Sequence, residues 1–444
     1  MTHHHPEFEE PLEPEQVAEA EVADVRRKLP RALTPFHTPA YRKLAVALVL
    51  TVFAWGIWVV ALVWEVIRLD GSTGDLSLVS AANAIGMVIP VLFAGAVADR
   101  IPQKLILIAV ATVQASCMVI AAILSLTDLA SIPFLVGLAL VYGCATSFYY
   151  PAYSAWLPAL VPEQDLLAVN GFEGMVRPTI GQALGPAFAG FLVGAASSGW
   201  GMLVAAAAAF GALAALFPVP LTPVRRDLAA QVSSHPVRSA LVDIREGFGY
   251  MVRTPWLLAT LLFASLMTLF IMGPIEVLVP FHIKDHLGGD AGDHALVLAA
   301  FGIGGAVASM AIASFPMPRR YLTVMNLSWG LGCLPLAFIG IADSVWIIVP
   351  LALVLGAMFS GPMVIWGTLL QRRVPSHMLG RVSSLDFFVS ISLMPVSMAL
   401  AGPVSELIGM QETFLLAGTL PMVIAVIAIV WARLPADEVA HPLD

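Results

Sequence analysis

Twelve long apolar runs, separated by short polar intervals, set the rhythm of the chain. They lie at about 42–67, 75–98, 104–126, 131–152, 170–195, 200–220, 256–281, 294–315, 321–341, 345–369, 383–406 and 411–432. Each is long enough for a helix to cross the hydrocarbon core of a bilayer, which takes about 20 residues. A backbone in lipid must satisfy its own hydrogen bonds, so each run is predicted to be a transmembrane α-helix. An outer-membrane barrel is excluded, because its strands alternate apolar and polar over about 10 residues and these runs are continuous. The longest polar interval, 221–255, parts the first six runs from the last six.

Composition agrees. Of 444 residues, 59% are hydrophobic and 12% charged, with mean hydropathy +0.87. A soluble globular chain carries roughly 25% charged residues, so no set of water-soluble domains can be clothed from this one. The few bases give an orientation. With the N-terminus cytoplasmic, nineteen of the twenty-two Lys and Arg fall on the cytoplasmic side. Arg68 and Lys284 fall outside, and Arg177 lies within the fifth span. By the positive-inside rule both termini are then cytoplasmic and the number of spans is even.

The segments outside the spans are less informative. In the first 39 residues four bases face eight acids, leaving −4 of the formal −8. That Pro- and Glu-rich stretch (1–40) is predicted to be a disordered cytoplasmic tail, and it lacks the features of a signal peptide. His3, His4 and His5 read as a tag-like stretch. In the central loop, Leu241, Ile244, Phe248 and Met251 recur at helical spacing, so 221–255 is either a tether or carries an amphipathic helix on the membrane surface. Residues 433–444 read as a short tail. Cys117, Cys144 and Cys333 sit in separate runs and read as buried filler.

The halves echo each other. Val161-Pro162-Glu163-Gln164-Asp165-Leu166 introduces the fifth span and Val374-Pro375-Ser376-His377-Met378-Leu379 the eleventh. At the same offset of 213 (375 less 162), Glu173 matches Asp386. Two six-span repeats, 41–220 and 256–432, are the architecture of rocking transporters with a midplane site between the halves.

Two motifs point to a family. Gly95-Ala96-Val97-Ala98-Asp99-Arg100 with Lys104 resembles the loop signature of the major facilitator superfamily, Gly-x-x-x-Asp-Arg-x-Gly-Arg-Lys, departing from it at Pro102 and Gln103. Gly181-Gln182-Ala183-Leu184-Gly185-Pro186-Ala187-Phe188-Ala189-Gly190 is similar to the superfamily's antiporter signature, Gly-x-x-x-Gly-Pro-x-x-Gly-Gly, with Ala189 in place of one glycine. The blocks 150–170, 245–256 and 380–402 resemble the enterobactin-exporter branch, the transmembrane secretion effectors, to which bacterial macrolide and multidrug exporters belong. The resemblance implies an all-α membrane protein of two pseudo-symmetric six-helix bundles that exports small molecules, with a proton as the exchanged ion.

Each motif has a physical reading. Asp99, at the inner end of the second span, is expected to accept from a facing helix N-terminus, that of the eleventh span with Arg381 nearby, and so to latch the halves. Gly181, Gly185 and Ala189 share one helical face, where small residues permit close backbone approach. The run Gly302, Gly304, Gly305, Ala306 and Ser309 in the eighth span is the expected partner, and Pro186 allows a bend.

Ionisable groups inside a membrane are costly, and mark function. Glu173 and Arg177 lie i, i+4 in the fifth span, Asp386 at matching depth in the eleventh, and Glu276 toward the outer end of the seventh. Any of these acids is a candidate for proton coupling; static pairing, chiefly of Glu173 with Arg177, is the competing reading. Glu65 and Glu406, near outer ends, read as solvated. The buried arginine that many drug antiporters carry in their fourth span has no counterpart between Ser131 and Ala152.

Trp55, Trp58, Tyr142, Phe270 and Phe359 are candidate cavity linings for a large, partly apolar substrate, with Phe53, Phe148 and Trp366 as further ones. His282, Asp285, His286, Asp290, Asp293 and His294 crowd an outer loop and read as solvated charge rather than a metal site.

The sequence thus predicts a monomeric secondary transporter of the bacterial inner membrane, with small molecules, protons and lipid as partners. It calls for no cofactor, metal or nucleic acid and carries no enzyme machinery. Export of amphiphilic drugs or metabolites by proton antiport is expected, with a dedicated siderophore exporter or a nutrient importer as the alternatives.

Overall fold

The computed structural model describes residues 31–98, 101–162, 165–222, 236–315 and 317–443, and these are helical almost throughout. Eleven helices are long and apolar enough to cross a membrane. The remaining fifth stretch runs from 166 to 195 as Leu166–Val176, a π-helical turn Arg177–Leu184, and Gly185–Ala195. Glu173, Arg177 and the Gly/Gln-rich middle dilute its hydropathy, which is why it stands apart from the others while filling the same place in the bundle.

Packing repeats with a shift of six. In the first half, Thr73–Ala98 packs along Ile132–Leu160, Gln103–Leu126 along Ser198–Leu216, and Pro39–Arg68 along Ser198–Leu216. In the second, Ala291–Ser314 packs along Val345–Arg373, and Met410–Trp431 lies against both Tyr321–Ile339 and Pro255–Gly273. Spans 2·4, 3·6 and 1·6 thus map onto 8·10, 9·12 and 7·12. Two seams join the halves, span 2 on span 11 and span 5 on span 8, and the same shift exchanges them.

Most bases lie on the face that holds the starts of the odd-numbered spans, called here the base-rich face. The seams close on the opposite, base-poor side. Ser77 Oγ accepts from the Gly402 backbone N–H at 2.8 Å, and Ala81, Ala84 and Met398 bury together. Trp64 Nε1 donates to His294 Nδ1 at 3.3 Å, from span 1 to span 8. Toward the base-rich face the ring of Tyr150, 56% exposed, stacks 6.4 Å from that of Phe387.

Two of three peripheral segments differ from the expectations above, and the third, the central loop, carries the helix that is one of its two readings. Arg31–His37, assigned to a loose tail, is a short helix on the start of the fifth span, with Phe36 edge-on between Tyr41 and Phe172. The aromatic pair gives it a buried anchor that charge counting over 39 residues cannot register. The central loop does contain a helix, Pro236–Arg253, but it packs on Ser376–Ile391, with Met251 buried and Phe248 exposed. After the twelfth span, Leu434–Ala440 docks instead of trailing. Asp437 accepts two bonds from Arg373, at 2.8 and 2.9 Å, and buried Glu438 accepts from the Thr323 backbone N–H at 2.6 Å. Thr323 lies in the first turn of Tyr321–Gly332, where free backbone N–H groups favour an anion.

Candidate transport site

The loop signature is only partly within view. Asp99 and Arg100, and with them the expected latch, lie outside the described residues, and Gly95 sits in the last turns of the Thr73–Ala98 helix. Lys104 donates to the Phe217 carbonyl at 2.7 Å, and Lys43 to that of Pro218 at 3.2 Å. Both bases therefore satisfy carbonyls left open where the sixth span ends.

The glycine signature has two partners rather than one. A Cβ at Gly181 would meet Val52 at 2.7 Å and the Trp55 ring at 3.2 Å, and one at Gly185 would meet the Gly56 Cα at 2.9 Å. Pro186 also lies against Gly56. Gly181, Gly185 and Pro186 thus seat the fifth span on the first, within their own half, and Ala189 is buried there too. Gly190, one step further round the helix, is the seam residue: its Cβ would stand 2.8 Å from the Ala291 carbonyl of the eighth span. The expected eighth-span partner divides likewise. Gly302 receives Gln182, whereas Gly304 and Gly305 abut Leu353 and Ser360 of the tenth span. Residues one apart in sequence are about 100° apart around a helix, so a single stripe on paper serves two neighbours.

The acids separate by environment. Glu173 is 8% exposed; one carboxylate oxygen lies 3.6 Å from Arg177, and the other has no close hydrogen-bond partner among the described residues. The Tyr153 side chain adjoins it and Tyr41 lies within electrostatic reach, and neither buried hydroxyl has a close hydrogen-bond partner among the described residues. Arg177 reaches onward, its guanidinium 6.0 Å from the Tyr150 ring centre. Asp386 accepts from Trp366 Nε1 at 3.0 Å and from Ser390 Oγ at 3.4 Å. Glu276 is partly buried and bonds to none of the described residues. It sits in a π-helical turn, Pro274–Leu278, that packs on span 2 beside the seam. Such turns, like Arg177–Leu184 around the other acid, recur where function distorts a helix, and hydropathy gives no signal of them.

Two readings are corrected. Glu65 is not solvated: fully buried, it accepts from Ser125 and Ser198 and is gripped by Arg68, tying spans 1, 3 and 6. Glu406, by contrast, is exposed as expected, within 3.5 Å of the Thr73 hydroxyl. In the outer loop, Asp290 and Asp293 form a capping box for Ala291–Ser314, and His282 is buried against the Ala342 carbonyl at 3.2 Å.

Of the candidate linings, Trp58 and Tyr142 stack on each other at 5.4 Å, 3% exposed each, inside the first half. They are core, not cavity. Trp366 is likewise buried, holding Asp386. Trp55 is 39% exposed, and Phe270 and Phe359 are half-buried. Aromatic content alone cannot tell a ring facing the cleft from one facing a neighbouring helix.

Among the described residues, eleven candidate spans and the broken fifth stretch form two bundles related by a shift of six that meet along two equivalent seams, the major facilitator fold. Residues 31–443 match the profile of the transmembrane secretion effectors, so the chain belongs to that family of the major facilitator superfamily. It is 26% identical to the multidrug efflux pump Tap of Mycolicibacterium fortuitum, covering 87% of this chain and 94% of that one. Macrolide efflux protein A of Streptococcus pyogenes is 23% identical (81% and 88%), and the enterobactin exporter EntS of Escherichia coli 24% (78% and 80%). Among solved structures the nucleoside transporter NupG superposes with TM-score 0.68 at 15% identity, covering 88% and 98%, which establishes the fold alone.

Proposed function

We propose that the protein exports amphiphilic small molecules across the cytoplasmic membrane by alternating access, in exchange for protons. The base-rich face is cytoplasmic under the positive-inside rule, with both termini on that side. Among the described residues the seams then close on the outer side, as in a state that loads cargo for export. The observation that carries the reading is the seam: two equivalent helix pairs meet on the base-poor side, with unpaired Glu276 beside one of them. Two such seams let the bundles rock about a fixed midplane site.

Trp55, Phe270 and Phe359 offer apolar faces to a partly apolar substrate, and Glu173, Glu276 and Asp386 are the groups available to take up a proton. Drug, macrolide and siderophore exporters among the relatives support outward transport. A monomer suffices for this mechanism, since both seams lie within one chain.

Inside-out membrane vesicles test the reading. Acidified inside, they are expected to accumulate ethidium, to release protons as ethidium is added, and to lose the accumulation when an uncoupler collapses the gradient. Accumulation indifferent to the uncoupler would refute proton antiport. A panel of drugs and iron chelators then separates a broad exporter from a dedicated one.

A further inference from the structure

The acid sites of the two halves are copies of one another that differ in a single respect. At the offset of 213, Glu173 maps onto Asp386, Arg177 onto Ser390 (390 less 177) and Tyr153 onto Trp366 (366 less 153). The geometry follows the arithmetic. In each half an acid on span 5 or 11 meets a residue four further on, Arg177 at 3.6 Å or Ser390 at 3.4 Å, and an aromatic side chain from span 4 or 10.

The copies differ in completeness. Both Asp386 oxygens have donors, and the Trp366 N–H can only donate, so that site is fixed. In the other half Tyr153 replaces the indole. Its hydroxyl can donate and accept, is 1% exposed and adjoins the Glu173 carboxyl, yet has no close hydrogen bond to any of the described residues. The Tyr41 hydroxyl, near enough to act electrostatically on both, and one Glu173 oxygen are in the same condition among the described residues, 0% and 8% exposed. Buried polar groups are almost always paired. Three orphans together mark a place that something small and polar completes.

From this asymmetry, and resting on the antiport reading above, we infer that Glu173 is the proton carrier, with Tyr153 and Tyr41 positioning a water that serves it. A proton from the aqueous side enters that water, which passes one of its own to the Tyr153 hydroxyl as the hydroxyl passes its proton to the free Glu173 oxygen, so the water is unchanged. The phenol is neutral before and after, and the carboxylate goes from −1 to 0. The charged groups facing the acid explain how this reaches the other half. Arg177 is the base at the site; Tyr41 comes from span 1, Tyr149 and Tyr153 from span 4. Once Glu173 is neutral, Arg177 loses its counter-charge, and Arg177 leans on Tyr150, whose ring stacks on Phe387 beside Asp386. A metal cation is the poorer occupant, because the same guanidinium repels it.

Purified protein in liposomes, with ethidium as the probe and a trapped pH dye reporting protons, tests the inference. Glu173→Gln is expected to lose proton flux and gradient-driven accumulation at least tenfold while still exchanging ethidium down its gradient, which shows that the protein is folded. Tyr153→Phe, which removes only the hydroxyl, should cut proton flux severalfold and move its pH profile, and Tyr41→Phe should act in the same direction. Asp386→Asn and Trp366→Phe should leave the proton stoichiometry of any remaining transport unchanged. Coupled proton flux persisting in Glu173→Gln, or a wild type driven by a sodium gradient instead, overturns the assignment. If the wild type itself moves no protons, it is antiport that fails; if only Glu173→Gln stays coupled, this inference fails alone.

Discussion

Glu65 offers the most quantitative test of the bundle's internal logic. It is 0% exposed in a span near the base-poor face, and one of its oxygens accepts from Ser125 Oγ at 2.8 Å, from Ser198 Oγ and from Arg68 Nε at 3.1 Å. The other accepts from the Arg68 terminal nitrogen at 2.9 Å. A hydrogen bond to a charged group contributes about 1.5–3 kcal/mol. The Arg68 pair deserves less, about 1 kcal/mol, because that side chain is one-third exposed and is also held by Asp128 at 2.9 Å.

Glu65→Gln keeps the shape but turns one acceptor into a donor facing donors. At least one serine bond and the pairing of charge are lost, for about 3 kcal/mol. Unfolding of the purified protein in detergent measures this, with Ser198→Ala completing a double-mutant cycle whose coupling should reach about 1.5 kcal/mol. Ethidium transport per folded molecule should be unchanged. A loss below about 0.5 kcal/mol with additive effects would mean that the carboxylate is solvated and the cross-link between spans 1, 3 and 6 does not operate.

Gly190→Leu places side-chain atoms where the Ala291 carbonyl lies 2.8 Å and the Gly292 Cα 3.1 Å from a Cβ; backbone cannot yield there, so transport should fall more than tenfold at normal membrane yield. A cysteine introduced at Thr73 should then label faster from the base-poor side. Trp64→Phe deletes the 3.3 Å bond to His294 across the halves and should likewise raise that labelling. Acid on the base-poor side should do the same to the wild type, because protonation turns Nδ1 from acceptor into donor, and should have no further effect on the variant. Glu438→Ala removes the acceptor of the Thr323 N–H and hydroxyl; it should cost about 1–3 kcal/mol, and limited proteolysis should clip the released Leu434–Ala440 helix.

Several features were legible because they depend on composition along the chain. Continuous apolar runs dictated helices, since only a helix pairs its own backbone in lipid, and the sorting of bases between them supplied an orientation to test. The 213-residue offset already aligned Glu173 with Asp386. What a run cannot disclose is the direction in which a side chain points. Trp58 and Trp55 are three residues apart, yet one stacks in the core and the other is open; Glu65 and Glu406 are both acids near span ends, yet one is sealed and the other is not. The orphaned hydroxyls of Tyr41 and Tyr153 gather at Glu173 only because spans 1, 4 and 5 converge there. Hydropathy is a property of a segment and sets which elements form. Partnership belongs to faces brought together from distant segments, and packing alone decides which carboxylate is satisfied and which keeps an open oxygen among the described residues.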